Sequence, residues 1–131
     1  MPSAIDFDQK VLVVDDFPTM RKLIRNVLKE IGFHHICEAD NGAAALSLLQ
    51  SEKIGLVLTD WNMPAMTGLE LLQRIRREPA SKDIPVLMVT AEGNKENVVE
   101  AIKAGADNFV VKPFTAETIK DKIEHIFRKR K

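Results

Sequence analysis

A single cysteine stands among 131 residues, so no intramolecular disulfide is available and no second thiol can join a metal cluster. An oxidising compartment gains no support from it, and Cys37 reads as a small buried hydrophobe. Excess charge is lacking too. Lys plus Arg and Asp plus Glu both count 19, which removes the global basic field of a direct nucleic-acid binder and the acidic field of a polycation binder. Any partner is therefore recognised locally. No apolar stretch approaches the span of a bilayer, and the opening residues MPSAIDFDQK lack the apolar core of a signal peptide. The expectation is a cytoplasmic chain with no membrane insertion. Low-complexity segments are missing as well. The only charge run, Arg128 to Lys131, reads as a solvated, fraying helix end whose sign suits the helix dipole. This length calls for one domain with a proper core and no structural metal.

What the sequence does contain is a regular alternation. Val11 to Val14, Leu56 to Leu58, Val86 to Val89 and Phe109 to Val111 are short apolar runs rich in β-branched residues, each followed at once by polar ones. They read as strands buried on both faces. A weaker strand, His35 to Ala39, interleaves polar residues as an edge strand would. Between the strands lie helical patterns. Met20, Leu23, Ile24, Val27, Leu28 and Ile31 follow the spacing of one helix face, with Pro18 suited to the first turn and Gly32 to the end. Further helices are expected over Ala43 to Gln50, Leu69 to Arg77, Glu96 to Lys103 and Ala116 to Arg128. The last carries Ile119, Ile123, Ile126 and Phe127 on one face and Thr115 as its N-cap. Five strand–helix units predict an α/β fold, a mainly parallel sheet between helices joined by right-handed crossovers.

In such a sheet, ligands bind beyond the carboxyl ends of the strands. The first strand runs out into Asp15 and Asp16, the third into Asp60, the fourth into Thr90 and the fifth into Lys112. Gathered carboxylates raise one another's pKa values unless a cation neutralises them. All-oxygen ligation suits a hard ion such as Mg²⁺, which takes one or two carboxylates, keeps waters and adds phosphate oxygens. Neither His34 nor His35 lies at these strand ends, so catalytic-zinc spacing is absent. Asp60 follows its strand alone, whereas Asp15 and Asp16 are adjacent and point apart, which favours Asp60 as a nucleophile toward phosphorus. Thr90 and Lys112 supply a hydroxyl and an ammonium for phosphoryl oxygens. Taken singly, each residue has a plainer reading: the Asp pair as a helix N-cap, Asp60 as a turn carboxylate, Thr90 as a strand end, Lys112 as a surface charge. Their joint placement at four strand ends argues for a site.

The segments VLVVDDFPTM, TDWNMP followed by TGLELL, PVLMVTAE, AGAD and VVKPF, in this order and spacing, resemble the receiver domains of bacterial two-component response regulators, and most of all those of chemotaxis. The resemblance covers nearly the whole chain. It implies a flavodoxin-like (βα)5 fold of strand order 2-1-3-4-5, with residues 1–131 forming one receiver domain and no output domain. It makes Asp60 the phosphoacceptor, with Asp16, Asp60 and the Asn62 backbone carbonyl as Mg²⁺ ligands and Asp15 supporting the metal through water; Mn²⁺ is a possible substitute. Thr90 becomes the switch hydroxyl, Lys112 the phosphate-contacting lysine, and the bond to Pro113 cis. Phe109 takes the position of the switch aromatic, where chemotaxis regulators have Tyr, so a hydroxyl at the output surface is lost. Plain core packing is an equal reading of Phe109. Lys95, Val98, Phe109 and Lys122 match motor-binding positions, although each lysine alone reads as a solvated charge. Trp61 becomes a gate beside the phosphoacceptor and a fluorescent reporter, or else a partly exposed packing residue. The implied partners are a CheA-like histidine kinase, a FliM-like flagellar motor switch protein or another protein target, and a possible phosphatase. The chain itself is then a monomeric signalling protein and not an enzyme, one that takes phosphate from small donors with Mg²⁺ and slowly loses it.

Three other functions fit less well. An aspartyl-phosphate phosphatase generally has an acid two residues beyond its nucleophile, where this chain has Asn62, and carries cap insertions that this length does not hold. A transcription regulator needs a recognition-helix domain, and none follows the fifth helix. A flavin-binding module needs a phosphate loop after the first strand, where DDFPTM would repel a cofactor phosphate.

Overall fold

Strands and helices alternate in the computed structural model, which describes residues 4–91 and 95–130, the Lys95 side chain excepted. In chain order they are β1 (Lys10–Val14), α1 (Pro18–Ile31), β2 (His35–Ala39), α2 (Gly42–Ser51), β3 (Ile54–Asp60), α3 (Gly68–Arg77), β4 (Val86–Thr90), α4 (Lys95–Lys103), β5 (Asn108–Val111) and α5 (Ala116–Lys129). The five strands form one sheet of order β2-β1-β3-β4-β5, with every neighbouring pair parallel. Period-two alternation splits the core in two. Val11 and Val13 face one way with Leu56, Leu58, Leu87 and Val89, packed against α1 and α5. Leu12 and Val14 face the other way with Val57, Val86 and Met88, packed against α2, α3 and α4. Each large side chain so buried contributes about 1.5–3 kcal/mol relative to leaving it exposed.

The helix boundaries follow from local chemistry. Pro18 occupies the first turn of α1, and Gly32 ends that helix at φ 135°, its N–H on the Leu28 carbonyl. Asn41 caps α2 through its side chain. Thr67 and Glu70 form a reciprocal capping box on α3. Thr115 caps α5 by accepting from the Thr118 N–H at 3.1 Å.

Three expectations need correction. β5 is not buried on both faces: it closes the sheet at one edge, and its Val111 is exposed. Leu23 is exposed as well and lies outside the core cluster that α1 contributes to. Arg130 is no free end of a charge run. It donates from Nε to Asp107 Oδ2 at 2.7 Å and from Nη1 to the Asp83 carbonyl at 2.7 Å. Lys131 lies outside the described residues.

Asp107, just before β5, joins several elements at the amino ends of the strands. Its Oδ1 accepts from the Val86 N–H at 3.0 Å and from Arg76 Nη2 at 2.9 Å. Arg76 in turn binds the carbonyls of Gly105 and Ile84. Asp107→Ala leaves two guanidinium groups and a backbone N–H without this partner. A loss of roughly 3 kcal/mol is expected in urea unfolding, because removing one member of a partly buried charged network strands the others. A loss under about 1 kcal/mol, the range of an exposed pair, would show the network to be decorative.

Candidate functional site

Strand order decides where a site forms. From β1 the chain first moves outward to β2, then returns to place β3 on the other side of β1 and continues to β4 and β5. The carboxyl ends of β1 and β3 therefore flank the crevice where the direction reverses. Asp15 and Asp16 follow β1, and Asp60 ends β3. One ligand atom from each lies within 4.8 Å of the others. The two strands are in contact along their length, so the gathering of carboxylates follows from register.

Asp15 is fully buried and Asp60 nearly so. Asp15 Oδ1 accepts the Phe17 N–H at 2.9 Å. Its Oδ2 lies 3.5 Å from Lys112 Nζ. The same ammonium is 3.3 Å from Asp60 Oδ1, which also accepts the Trp61 N–H at 2.8 Å. Lys112 thus reaches from the end of β5 and bridges β1 to β3. It stands behind the cis bond to Pro113, the isomer that the resemblance implies. Neither aspartate of the pair serves as N-cap of α1: that position is Phe17, and no side chain caps it. The plainer reading of the pair thereby falls.

Burial pushes the Asp60 carboxyl above the ordinary carboxylate range; Lys112 draws it back, and Asp15 opposes Lys112. One lysine does not satisfy three buried or half-buried acids. The Asp16 Oδ1 atom is buried and has no hydrogen-bond partner among the described residues, a costly state for a carboxylate oxygen unless something positive meets it. A hard cation fits this donor set: carboxylate oxygens alone, converging, with one of them unpaired.

Thr90 ends β4 and is buried. Phe109 pairs in register with Met88, and Val111 with Thr90, so Thr90 and Phe109 share the α4 side of the sheet. Trp61, Asn97, Val98 and Ala101 close around them in a crevice of only about 10 Å³, room for a single water. Phe109 is half-buried, and Lys122 places its ammonium 5.3 Å from the centre of that ring. Lys122 is therefore more than a solvated charge, since it covers an aromatic face. Val98 points into the crevice, whereas Val99 and Ile102 are the exposed apolar residues of α4. The Lys95 side chain, assigned to the same surface, lies outside the described residues. Asn62 is exposed, two residues beyond Asp60 in the connection to α3.

Residues that went unread from sequence shape that connection. Gly68 lies against the Asp60 carbonyl so closely that a Cβ would overlap it, and its N–H is bonded to the Trp61 carbonyl at 2.8 Å. The loop between folds back over the strand end. A glycine immediately after a Thr N-cap was the available signal, because it marks a close backbone approach. Ala65 has φ 68° and is spanned by a Met66 N–H to Pro64 carbonyl bond of 2.7 Å, a γ-turn of the strained, positive-φ kind.

With this geometry in view, the likeness to known proteins is informative. The model of the response regulator receiver domain family matches residues 11–124. A chemotaxis protein CheY of Pseudomonas aeruginosa is 50% identical over 120 residues, 92% of this chain and 97% of that protein. The crystal structure of Vibrio cholerae chemotaxis protein CheY4 superposes with a TM-score of 0.85 at 33% identity, covering 91% of this chain and 98% of that one. The receiver domain of a Pseudomonas aeruginosa sensor histidine kinase, described with a magnesium ion in its active-site cleft, has a TM-score of 0.83 at 20% identity. It covers 92% of this chain and 98% of that one, and at this identity the likeness concerns the fold.

The raised Asp60 carboxyl carries a sign that can be checked. Its native pKa lies above the unfolded value, so stability is fully present at low pH and falls as pH rises through the ordinary range toward the native value. Asp60→Asn removes this cost. In metal-free buffer the variant should melt higher than the wild type at neutral pH, and the difference should shrink as the solution is acidified toward the ordinary carboxylate range. A variant less stable than the wild type at neutral pH would contradict the assignment.

Proposed function

The chain belongs to the response regulator receiver domain family, and from that premise we propose that it is a stand-alone response regulator, phosphorylated on Asp60 by a histidine kinase in a two-component relay. The observation that carries this reading is the convergence of Asp15, Asp16 and Asp60 within 4.8 Å under a single bridging lysine. In this proposal residues 1–131 form one receiver unit that works as a monomer in the cytoplasm. No helix among the described residues is long and apolar enough to cross a membrane.

Each residue has a role in the proposal. Asp60 Oδ1 is engaged by Trp61 and Lys112, which leaves Oδ2 as the attacking atom. A bond from Oδ2 to phosphorus forms as the bond from phosphorus to the donor imidazole nitrogen breaks, and no base is needed because an ionised carboxylate has no proton to lose. Asp16, Asp60 and the Asn62 carbonyl would hold Mg²⁺, or Mn²⁺ in its place, with Asp15 supporting it through water; when bound, it would offset the acidic charge and that of the equatorial phosphoryl oxygens. Lys112 moves its donors from carboxylate to phosphoryl oxygen over a short distance. Thr90 gives its hydroxyl to another, and its inward shift opens space on the α4 side of the sheet, into which Phe109 turns.

The output surface of the proposal is α4, β5 and α5, including Lys95, Val98, Phe109 and Lys122, read by a protein target. The chemotaxis relatives favour a flagellar motor switch protein of the FliM type, with a CheA-like kinase as donor and a phosphatase as a further possible partner. Ring burial at Phe109 needs no hydroxyl, so the lack of Tyr alters the contact with the target and leaves the switch itself in place.

Intact mass after incubation with acetyl phosphate tests the chemistry, the metal and the residue together. The expected result is a gain of one labile phosphoryl group in Mg²⁺, lost in EDTA and lost in Asp60→Asn. The same gain in Asp60→Asn would sink the assignment.

A further inference from the structure

We propose that Arg21 is a positioning residue for the cation site: its guanidinium fixes the Asp15–Asp16 peptide and, through it, the direction of the Asp16 carboxylate. The inference rests on the cation reading above and extends it to a residue outside the acidic trio.

Asp15 lies two residues before Phe17, the N-cap of α1. Its carbonyl is therefore outside the helical hydrogen-bond ladder, and a buried carbonyl needs another donor. Arg21 Nη1 is that donor, at 2.9 Å. On the other side of the same residue, the Asp15 N–H is bonded to the Ala39 carbonyl at the end of β2, at 3.2 Å. Arg21 is itself anchored to that strand end, since its Nε donates to Glu38 Oε1 at 3.2 Å. Glu38 and Ala39, adjacent on the edge strand, thus hold both backbone groups of Asp15, one directly and one through Arg21.

The consequence falls on Asp16. The Asp15 carbonyl and the Asp16 N–H belong to one planar unit, so pinning the carbonyl removes a rotation from the backbone that carries the Asp16 side chain. That side chain needs such restraint, because its buried Oδ1 has no hydrogen-bond partner among the described residues and stands close to two other acids. Left free, it would relieve the repulsion by turning toward water. Only arginine suits the task well, because its planar fork serves Glu38 through Nε and the carbonyl through Nη1 at once. Glu38 also offsets the guanidinium charge, so the donor adds little net repulsion to an incoming cation. Arg25 provides an internal control. It grips the other oxygen of Glu38, with Nη1 at 3.2 Å from Oε2, one turn further along α1.

Mg²⁺ titrations by isothermal calorimetry and by Trp61 fluorescence, on the wild type, Arg21→Ala, Arg21→Lys and Arg25→Ala, test this directly. Metal-free thermal melts of all four separate stability from affinity. Arg21→Ala should weaken Mg²⁺ binding roughly 10- to 100-fold, the usual effect of losing a group that orients a metal ligand. Arg21→Lys, keeping charge without the fork, should fall between. Arg25→Ala should lose some thermal stability and bind Mg²⁺ much as the wild type does. An Arg25→Ala loss as large as that of Arg21→Ala would mean that affinity merely follows the ion pairs, and would overturn the proposal. So would wild-type affinity in Arg21→Ala or, should that variant fail to fold, in Arg21→Lys. A wild type that does not bind Mg²⁺ would instead overturn the cation site itself, and the role of Arg21 with it.

Discussion

Crowding of negative charge at the ends of β1 and β3 is the constraint on which the rest of this molecule depends. Parallel pairing brings Asp15, Asp16 and Asp60 to one place, and among the described residues one ammonium, that of Lys112, meets them. Burial first and the Asp15 charge second raise the Asp60 carboxyl against the pull of Lys112, and the Asp16 Oδ1 atom has no hydrogen-bond partner among the described residues. A well-satisfied core would not be built this way. The local deficit of positive charge suits the site to a divalent cation, and the proposed phosphoryl transfer draws on the same deficit. The neighbouring structure follows from the same need: Gly68 lets the loop close over Asp60, and the edge strand holds the turn that carries Asp15 and Asp16.

The opposite end of the sheet is organised differently. There Asp107 is paired with Arg76, Arg130 and the Val86 N–H, and Arg76 also binds the Gly105 and Ile84 carbonyls. Charges at that end are matched, and the elements they join are α3, β4, β5 and α5. A fold that ties down the amino ends of its strands tolerates frustration at the carboxyl ends, where the three acids gather. Thr90, at the carboxyl end of β4, and Phe109 share one side of the sheet and line a crevice with almost no spare volume. Tight packing of this kind favours discrete arrangements over gradual deformation.

Much of this was legible in the sequence because it rests on period and spacing. β-branched runs fixed four strands, the edge character of β2 showed in its interleaved polar residues, and Pro18, Gly32 and Thr115 marked helix ends that the structure places where they were read. Residues at strand termini are legible for the same reason, since topology brings them together whatever their separation along the chain. What escaped depends on the third dimension. Val111 looks like core until the strand order makes β5 an edge. Arg130 looks like a solvated tail until α5 brings it over Asp107. Arg21 is one helical charge among several until β2 supplies Glu38 and the turn supplies a carbonyl. Lys122 likewise gains its meaning only from the ring beneath it.

The central claim, that these three acids form a cation site left short of positive charge by the fold, is tested most directly by urea unfolding of the wild type at increasing Mg²⁺ and constant ionic strength. Binding to the native state alone predicts a stability that climbs with the logarithm of Mg²⁺ concentration once the site begins to fill, by about 2.7 kcal/mol at a hundredfold excess over the dissociation constant. The unfolding midpoint should move while its slope stays constant. A midpoint indifferent to Mg²⁺ across that range would contradict the account.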